Sequence, residues 1–238
     1  MTLDRRNLRT LLLLSWSLFL LWLWVTGETA RYLGPRTQWL VPFGAIALGT
    51  AAFAYSRAPA SGERQRPPAT EVLGFAALVL PMVAGLLLAH SQLGALAASR
   101  KLTVRGIDPS ALAELASRNA SKVDFVQVQV AGHNPKFAAE SGIEPGRDVR
   151  LVGFVLRPPT MHAGAFELAR FYITCCVADS VPIGVAVEPA DPHPPAYGRD
   201  DWLAVSGELV RRGRELRVRG TRIRRVDAPR HPYLSFGS

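Results

Sequence analysis

Three long apolar runs fill most of the first hundred residues, and short runs of alternating apolar and polar positions follow. From Leu8 to Val25 the chain reads LRTLLLLSWSLFLLWLWV, with one charge, Arg9, at its edge. Crossing a hydrocarbon core takes roughly 20 apolar residues in a helix, so a first transmembrane helix is expected over 8–26. WLVPFGAIALGTAAFAY (Trp39–Tyr55) predicts a second over 38–55, with Pro42 near its start, where a helix tolerates proline. The run from Val72 to Leu96 predicts a third over 72–97, kinked at Pro81 with the freed carbonyl satisfied by neighbouring helices. The first run has an alternative, a cleaved signal, because Arg5-Arg6-Asn-Leu-Arg resembles a twin-arginine export sequence. Its length, its Leu and Trp content and the lack of a small-x-small cleavage site favour retention.

After the runs, Asp108-Pro109 opens a segment ending at Asn119 that reads as a short helix, Asp108 capping it and Pro109 at its first position. Six alternating stretches rich in Val, Ile and Phe come next: Val123–Val130, Asp148–Arg157, Phe166–Cys176, Val181–Glu188, Trp202–Arg211 and Glu215–Val226. Period-two alternation broken by Gly and Pro clusters predicts strands. The last five suit a five-stranded OB-like β-barrel, with Gly153, Gly207 and Gly220 at bends or bulges. A two-layer sandwich is the alternative. The expected fold class is thus an α + β membrane protein: a membrane domain over 1–100, a helix and linker over 105–145, and an OB-like β-domain over 146–238.

Charge adds orientation. The formal net charge is +9, nearly all of the basic excess being Arg. Arg5, Arg6 and Arg9 precede the first run, and Arg57, Arg64 and Arg66 lie between the second and third. Positive residues mark the cytoplasmic side, so the N-terminus is expected in the cytoplasm and the β-domain outside it, in a multi-pass protein of the cell membrane. Arg100, Lys101 and Arg105, on the outer flank, oppose this. His90 is the one ionisable residue well inside a run; with so little polarity, the spans suit an anchor in the lipid bilayer better than a conduction path. Arg217, Arg219, Arg222, Arg224 and Arg225 give the last strand a basic face, without the interleaved aromatics that single-stranded nucleic acid needs. No nucleic-acid partner is expected; contact with anionic headgroups or a merely solvated face fits better.

The order of these elements resembles the YcgQ-type family of bacterial membrane proteins, described as a permease subunit with a C-terminal domain of unknown function. The resemblance rests on GETARYLGP from Gly27, Leu80-Pro81, GRDVRLVGF from Gly146, LARFYITCCVAD from Leu168, WLAVSG from Trp202 and PRHPYL from Pro229. It implies pairing with a larger multi-span membrane permease, and a link to transition-metal handling, zinc above all. Members often carry a His-rich stretch between the second and third spans; here Ser56–Pro68 holds no histidine, which removes a cytoplasmic metal relay from the expectation.

Cys175 and Cys176 are the chain's two cysteines, and they are adjacent. Two thiolates suit zinc or another soft transition metal, and Asp179 is the nearest third ligand, with His162 or His193 as a fourth. Consecutive residues of a strand point to opposite faces. If Phe171 and Ile173 face the core, Cys175 follows them and Cys176 turns outward with Tyr172 and Thr174. A shared site then needs the strand to end or bulge at the pair, and Val177-Ala-Asp-Ser-Val-Pro182 reads as a turn that permits it. A redox-labile disulfide between neighbours and plain packing remain open readings. No catalytic residues are expected: nothing in the spacing ties His133, His162, His193 or His231 to the thiols as a base.

Overall fold

Leucine and tryptophan crowd the first run, so no face of that helix is polar enough to need water. In the computed structural model it forms α1 (Arg5–Thr26), followed by α2 (Leu40–Arg57) and α3 (Ala69–Leu87), the last with Pro81 inside it. The structure describes residues 5–58, 68–87, 93–104, 113–114, 116–117, 123–156, 164–192, 195–213 and 215–235. His90, His162 and His193, and most of the helix expected over 108–119, lie outside the described residues. The chain divides into two units, Met1–Ser91 and Gln92–Ser238.

In the first unit the helix Arg6–Thr26 is long and apolar enough to cross a membrane, its most apolar stretch reaching a mean hydropathy of 1.8. It is the one such helix among the described residues; Leu73–Ala84 within α3 is apolar but shorter. Small residues bring α2 against α1. Ala45 and Ala52 are buried, Ser17 Oγ donates to Ala45 O at 2.7 Å, and a Cβ on Gly49 would lie 3.1 Å from Ser17 Oγ. Small side chains permit this close approach of the two helix backbones. Arg9 pairs with Glu71 of α3 at 2.7 Å.

In the second unit α4 (Ala95–Val104) corrects the extent of the third apolar run. Ala95 and Ala98 are fully buried against Phe154, Leu156 and Phe171 of the β-domain, so this stretch packs on protein. A second correction concerns Val123–Val130, which is not a strand but the start of α5 (Phe125–His133). Asp124 accepts from Val126 N and Gln127 N, and the Gln127 side chain accepts from Asp124 N. This capping box commits the segment to a helix. Phe125 and Val126 through Val130 are buried apart from Gln129, so the alternation that looked like two strand faces lies on a helix covered nearly all round. Asn134 and Gly142 then cap the short α6 (Pro135–Ser141).

Five strands follow: β1 (Asp148–Leu156), β2 (Phe166–Tyr172), β3 (Val181–Pro189), β4 (Trp202–Arg212) and β5 (Glu215–Arg225). They close into a barrel of order β1-β2-β3-β5-β4, antiparallel except for β3 beside β5. The expected five-stranded barrel is therefore present, with bounds close to the alternating runs except in β2. Val155, Phe166, Leu168, Val187, Leu203 and Val205 are essentially inaccessible and share one core with α5. The register of β4 against β5 slips between Ser206 and Gly207. A side chain at Gly207 would overlap the Arg219 carbonyl, so glycine sets this bulge.

Gly153 meets an equally tight limit. A Cβ there would lie 2.5 Å from Ala169 O and 2.9 Å from Phe125 Cζ, where β1, β2 and α5 converge. Gly153→Ala is expected to lower stability by about 1–3 kcal/mol through overpacking, read as a lower denaturation midpoint of the full chain in detergent.

Candidate functional site

The strand alternation that would separate the two cysteines never reaches them. β2 ends at Tyr172, a bend carries Thr174 and Cys175, and Val177–Asp179 makes a single 3-10 turn before β3. The expected facing is also reversed. Tyr172 joins the barrel core, whereas Phe171 and Ile173 pack in the outer cluster with α4. Neither cysteine fills the barrel: Cys175 is exposed and Cys176 half-buried. The plain packing reading fails on that observation.

Asp179 organises the loop. Its Oδ1 accepts from Thr174 N at 3.2 Å and its Oδ2 from Cys175 N at 2.8 Å. Asp179 N in turn donates to Cys176 O at 3.1 Å. The two sulfurs are held 3.7 Å apart, well beyond the roughly 2.05 Å of a disulfide. Cys175, Cys176 and Asp179 thus converge, as the sequence required for any shared site.

Their electrostatics run against a thiolate at rest. Burial alone would raise the Asp179 pKa. The Cys175 N–H, the Cys175 thiol and the N–H groups of Thr174 and Cys176 outweigh it and hold the carboxyl below its usual range. The same carboxylate, with Cys176, pushes the Cys175 thiol up to about 11. A negative oxygen beside a sulfur disfavours a second negative charge. Asp179 therefore acts on the loop as a staple, its oxygens already engaged by backbone donors.

The loop lies in the segment with the clearest kinship. Residues 144–235 form a DUF1980 C-terminal domain. That family has no assigned function, and no curated protein matches the chain.

Within the DUF1980 domain, no group of three or more His, Cys, Asp and Glu side chains is arranged to hold a metal ion among the described residues. His162 and His193 fall outside those residues. Among the other histidines, His133 Nδ1 lies 3.0 Å from Gln129 O.

The basic face of β5 is more balanced than its sequence. Glu188 meets Arg212 at 3.1 Å and Arg217 at 3.2 Å, Glu208 meets Arg219 at 3.1 Å, and Asp201 meets Arg225 at 2.9 Å. One titratable group went unnoticed in the sequence. Glu167 lies over Gly184 on the outer side of β2, and burial, helped by the charge of Glu215, lifts its pKa to about 7. Its glycine neighbour, Gly184, lies on the adjacent strand, so nothing near it in the sequence marked it.

Two expectations follow. Asp179→Asn removes the charge that holds Cys175 protonated, so alkylation of Cys175 at pH 8 should quicken by about tenfold or more, as mapped by peptide mass. Glu167 is raised in the folded state, so its contribution is present in acid and lost as pH rises toward 7. Glu167→Gln should therefore flatten the fall in stability between pH 5 and 8 and gain on the order of 1 kcal/mol at pH 8, discounted for partial exposure; denaturant titration at both pH values reads this.

Proposed function

We propose that this protein is a membrane-anchored accessory subunit of a larger multi-span permease, whose OB-like domain presents Cys175 and Cys176 as a two-thiolate acceptor for a soft transition metal, zinc first. The observation that carries the metal part is the sulfur separation. Two sulfurs on one tetrahedral zinc, at Zn–S near 2.3 Å, stand about 3.8 Å apart, and the pair is held at 3.7 Å. The loop is exposed, so an ion reaches it without opening the barrel. Asp179 is a positioning residue in this reading, because its oxygens are taken by loop N–H groups. Metal would displace the Cys175 proton, so uptake strengthens with pH. The remaining ligands come from water or from the partner.

The anchor part is supported by α1, apolar enough to cross a membrane, and by the packing of α2 on it through small residues. Three spans, with the N-terminus cytoplasmic and the barrel outside, is the topology proposed from the charges flanking the runs. The strand order with β3 parallel to β5 supports the OB-like assignment. The YcgQ-type resemblance supports a permease as partner. A binding role is preferred to an enzymatic one. The exposed, adjacent thiols favour a second reading, reversible oxidation of the pair to a disulfide.

Purification of the full chain from its native membrane in mild detergent tests the subunit, and metal titration tests the site. A multi-span partner should co-elute, and the reduced protein should take up one zinc per chain. Cys175→Ser/Cys176→Ser should abolish uptake, whereas Asp179→Asn should retain it. A chain that elutes alone sinks the subunit reading. Zinc uptake unchanged in the double variant sinks the metal site. Loss of two hydrogens from the Cys175–Cys176 peptide under mild oxidant, without zinc uptake, transfers the case to the redox reading.

A further inference from the structure

β1 and β2 stay paired only from Phe154–Ala169 to Leu156–Glu167. Beyond that β1 turns to β4, and the stretch Pro229–Ser235 enters the gap. Tyr172 bridges Leu234 in parallel, Ile173 N donates to Leu234 O at 3.0 Å, and Leu234 N donates to Phe171 O at 2.7 Å. A cleft of about 400 Å³ opens between β1, this stretch and the start of α5. That is within the usual range for a small-molecule site.

Its lining combines two chemistries. Leu151, Val152 and Tyr233 supply apolar wall, while Arg150, Arg170 and Arg230 bring three guanidinium groups, with His231 beside them. Arg170 is the anomaly. It is half-buried, and its Nε donates to Pro232 O at 3.0 Å and its Nη2 to His231 O. No carboxylate pairs with it among the described residues. Asp124 acts on it through space, and its Oδ1 accepts from Val126 N and Gln127 N. Burying a charge without a paired counter-charge is costly. The carbonyls of 231 and 232 fix the guanidinium at the cleft but bring no negative charge to it. One carboxylate against three arginines leaves the lining cationic.

We infer that this cleft binds a small organic anion, a phosphate or carboxylate borne on an apolar body, with the charged group on Arg150, Arg170 and Arg230 and the body against Leu151, Val152 and Tyr233. Arginine forks match such oxyanions in geometry. The apolar wall selects against a bare inorganic ion. A lipid headgroup and a soluble metabolite share this chemistry. The site does not depend on the thiol loop or on any metal.

The test is calorimetric titration of the full chain in a non-ionic detergent, with phenyl phosphate and inorganic phosphate as probes. Phenyl phosphate should bind saturably, weaken as salt rises, and bind about tenfold tighter than inorganic phosphate, the gain expected from a few buried apolar carbons. Arg150→Ala/Arg230→Ala, both at exposed positions, should weaken phenyl phosphate about tenfold or more while the unfolding midpoint of the unliganded protein stays in place. Arg170→Gln should also weaken it, but that variant loses two backbone contacts, so the exposed pair decides. Absence of saturable phenyl phosphate binding, or binding unchanged in the exposed pair, overturns the inference. Short-chain phosphatidylglycerol then fixes the source: displacement of phenyl phosphate supports a lipid headgroup in the cleft, and no displacement supports a soluble anion in the same cleft.

Discussion

A barrel of five strands has no spare interior. Once Val155, Phe166, Leu168, Val187, Leu203 and Val205 interdigitate, with Phe125 of α5 on the same core, the inside is full. The thiols and the cleft arginines are left to a strand connection and a seam between strands. That constraint explains where the chemistry lies. The thiol pair occupies a strand connection, and the arginines gather where β1 and β2 separate. Gly153 and Gly207 are the same constraint expressed in backbone, since each marks a point where strands or a helix approach too closely for a side chain.

The thiol loop is a local object. Thr174, Cys175, Cys176 and Asp179 lie within six residues and are held by short-range bonds from one carboxylate. The carboxylate anchors the backbone of the loop and at the same time suppresses the Cys175 thiolate. On the proposed reading, Cys175 stays protonated until a metal ion displaces its proton. The arginine cleft is the opposite case, assembled from α5, β1, β2 and residues beyond β5, and dependent on the whole barrel.

That contrast also explains what could be read from the chain. Period-two runs located all five barrel strands, because strands with one buried face must alternate. The turn just past the two cysteines was legible too, but the run predicted for β2 extended through Cys176, whereas the strand ends at Tyr172. α5 was not, because Val126, Val128 and Val130 alternate with glutamines, and only the Asp124–Gln127 cap tips the balance. The third apolar run was read too far, since Ala95 and Ala98 are as apolar against a barrel as in lipid. The cleft had no linear signal at all. Its residues are scattered from Val123 to Leu234, and the expected facing of β2 turned Arg170 outward with Tyr172.

The parallel seam between β3 and β5 carries a different consequence. β5 pairs with β3 only at Val187–Pro189, so one side of β3 from Val181 to Ala186 is an edge inside a barrel that is otherwise continuous. An open edge invites another backbone to add to it. Two features answer that. Pro182 offers no N–H there, and Gln129 of α5 donates to the Gly184 carbonyl, laying a helix along the gap. The helix that the sequence disguised as a strand therefore stands where a sixth strand would otherwise dock, and it keeps one copy of this domain from growing into the next.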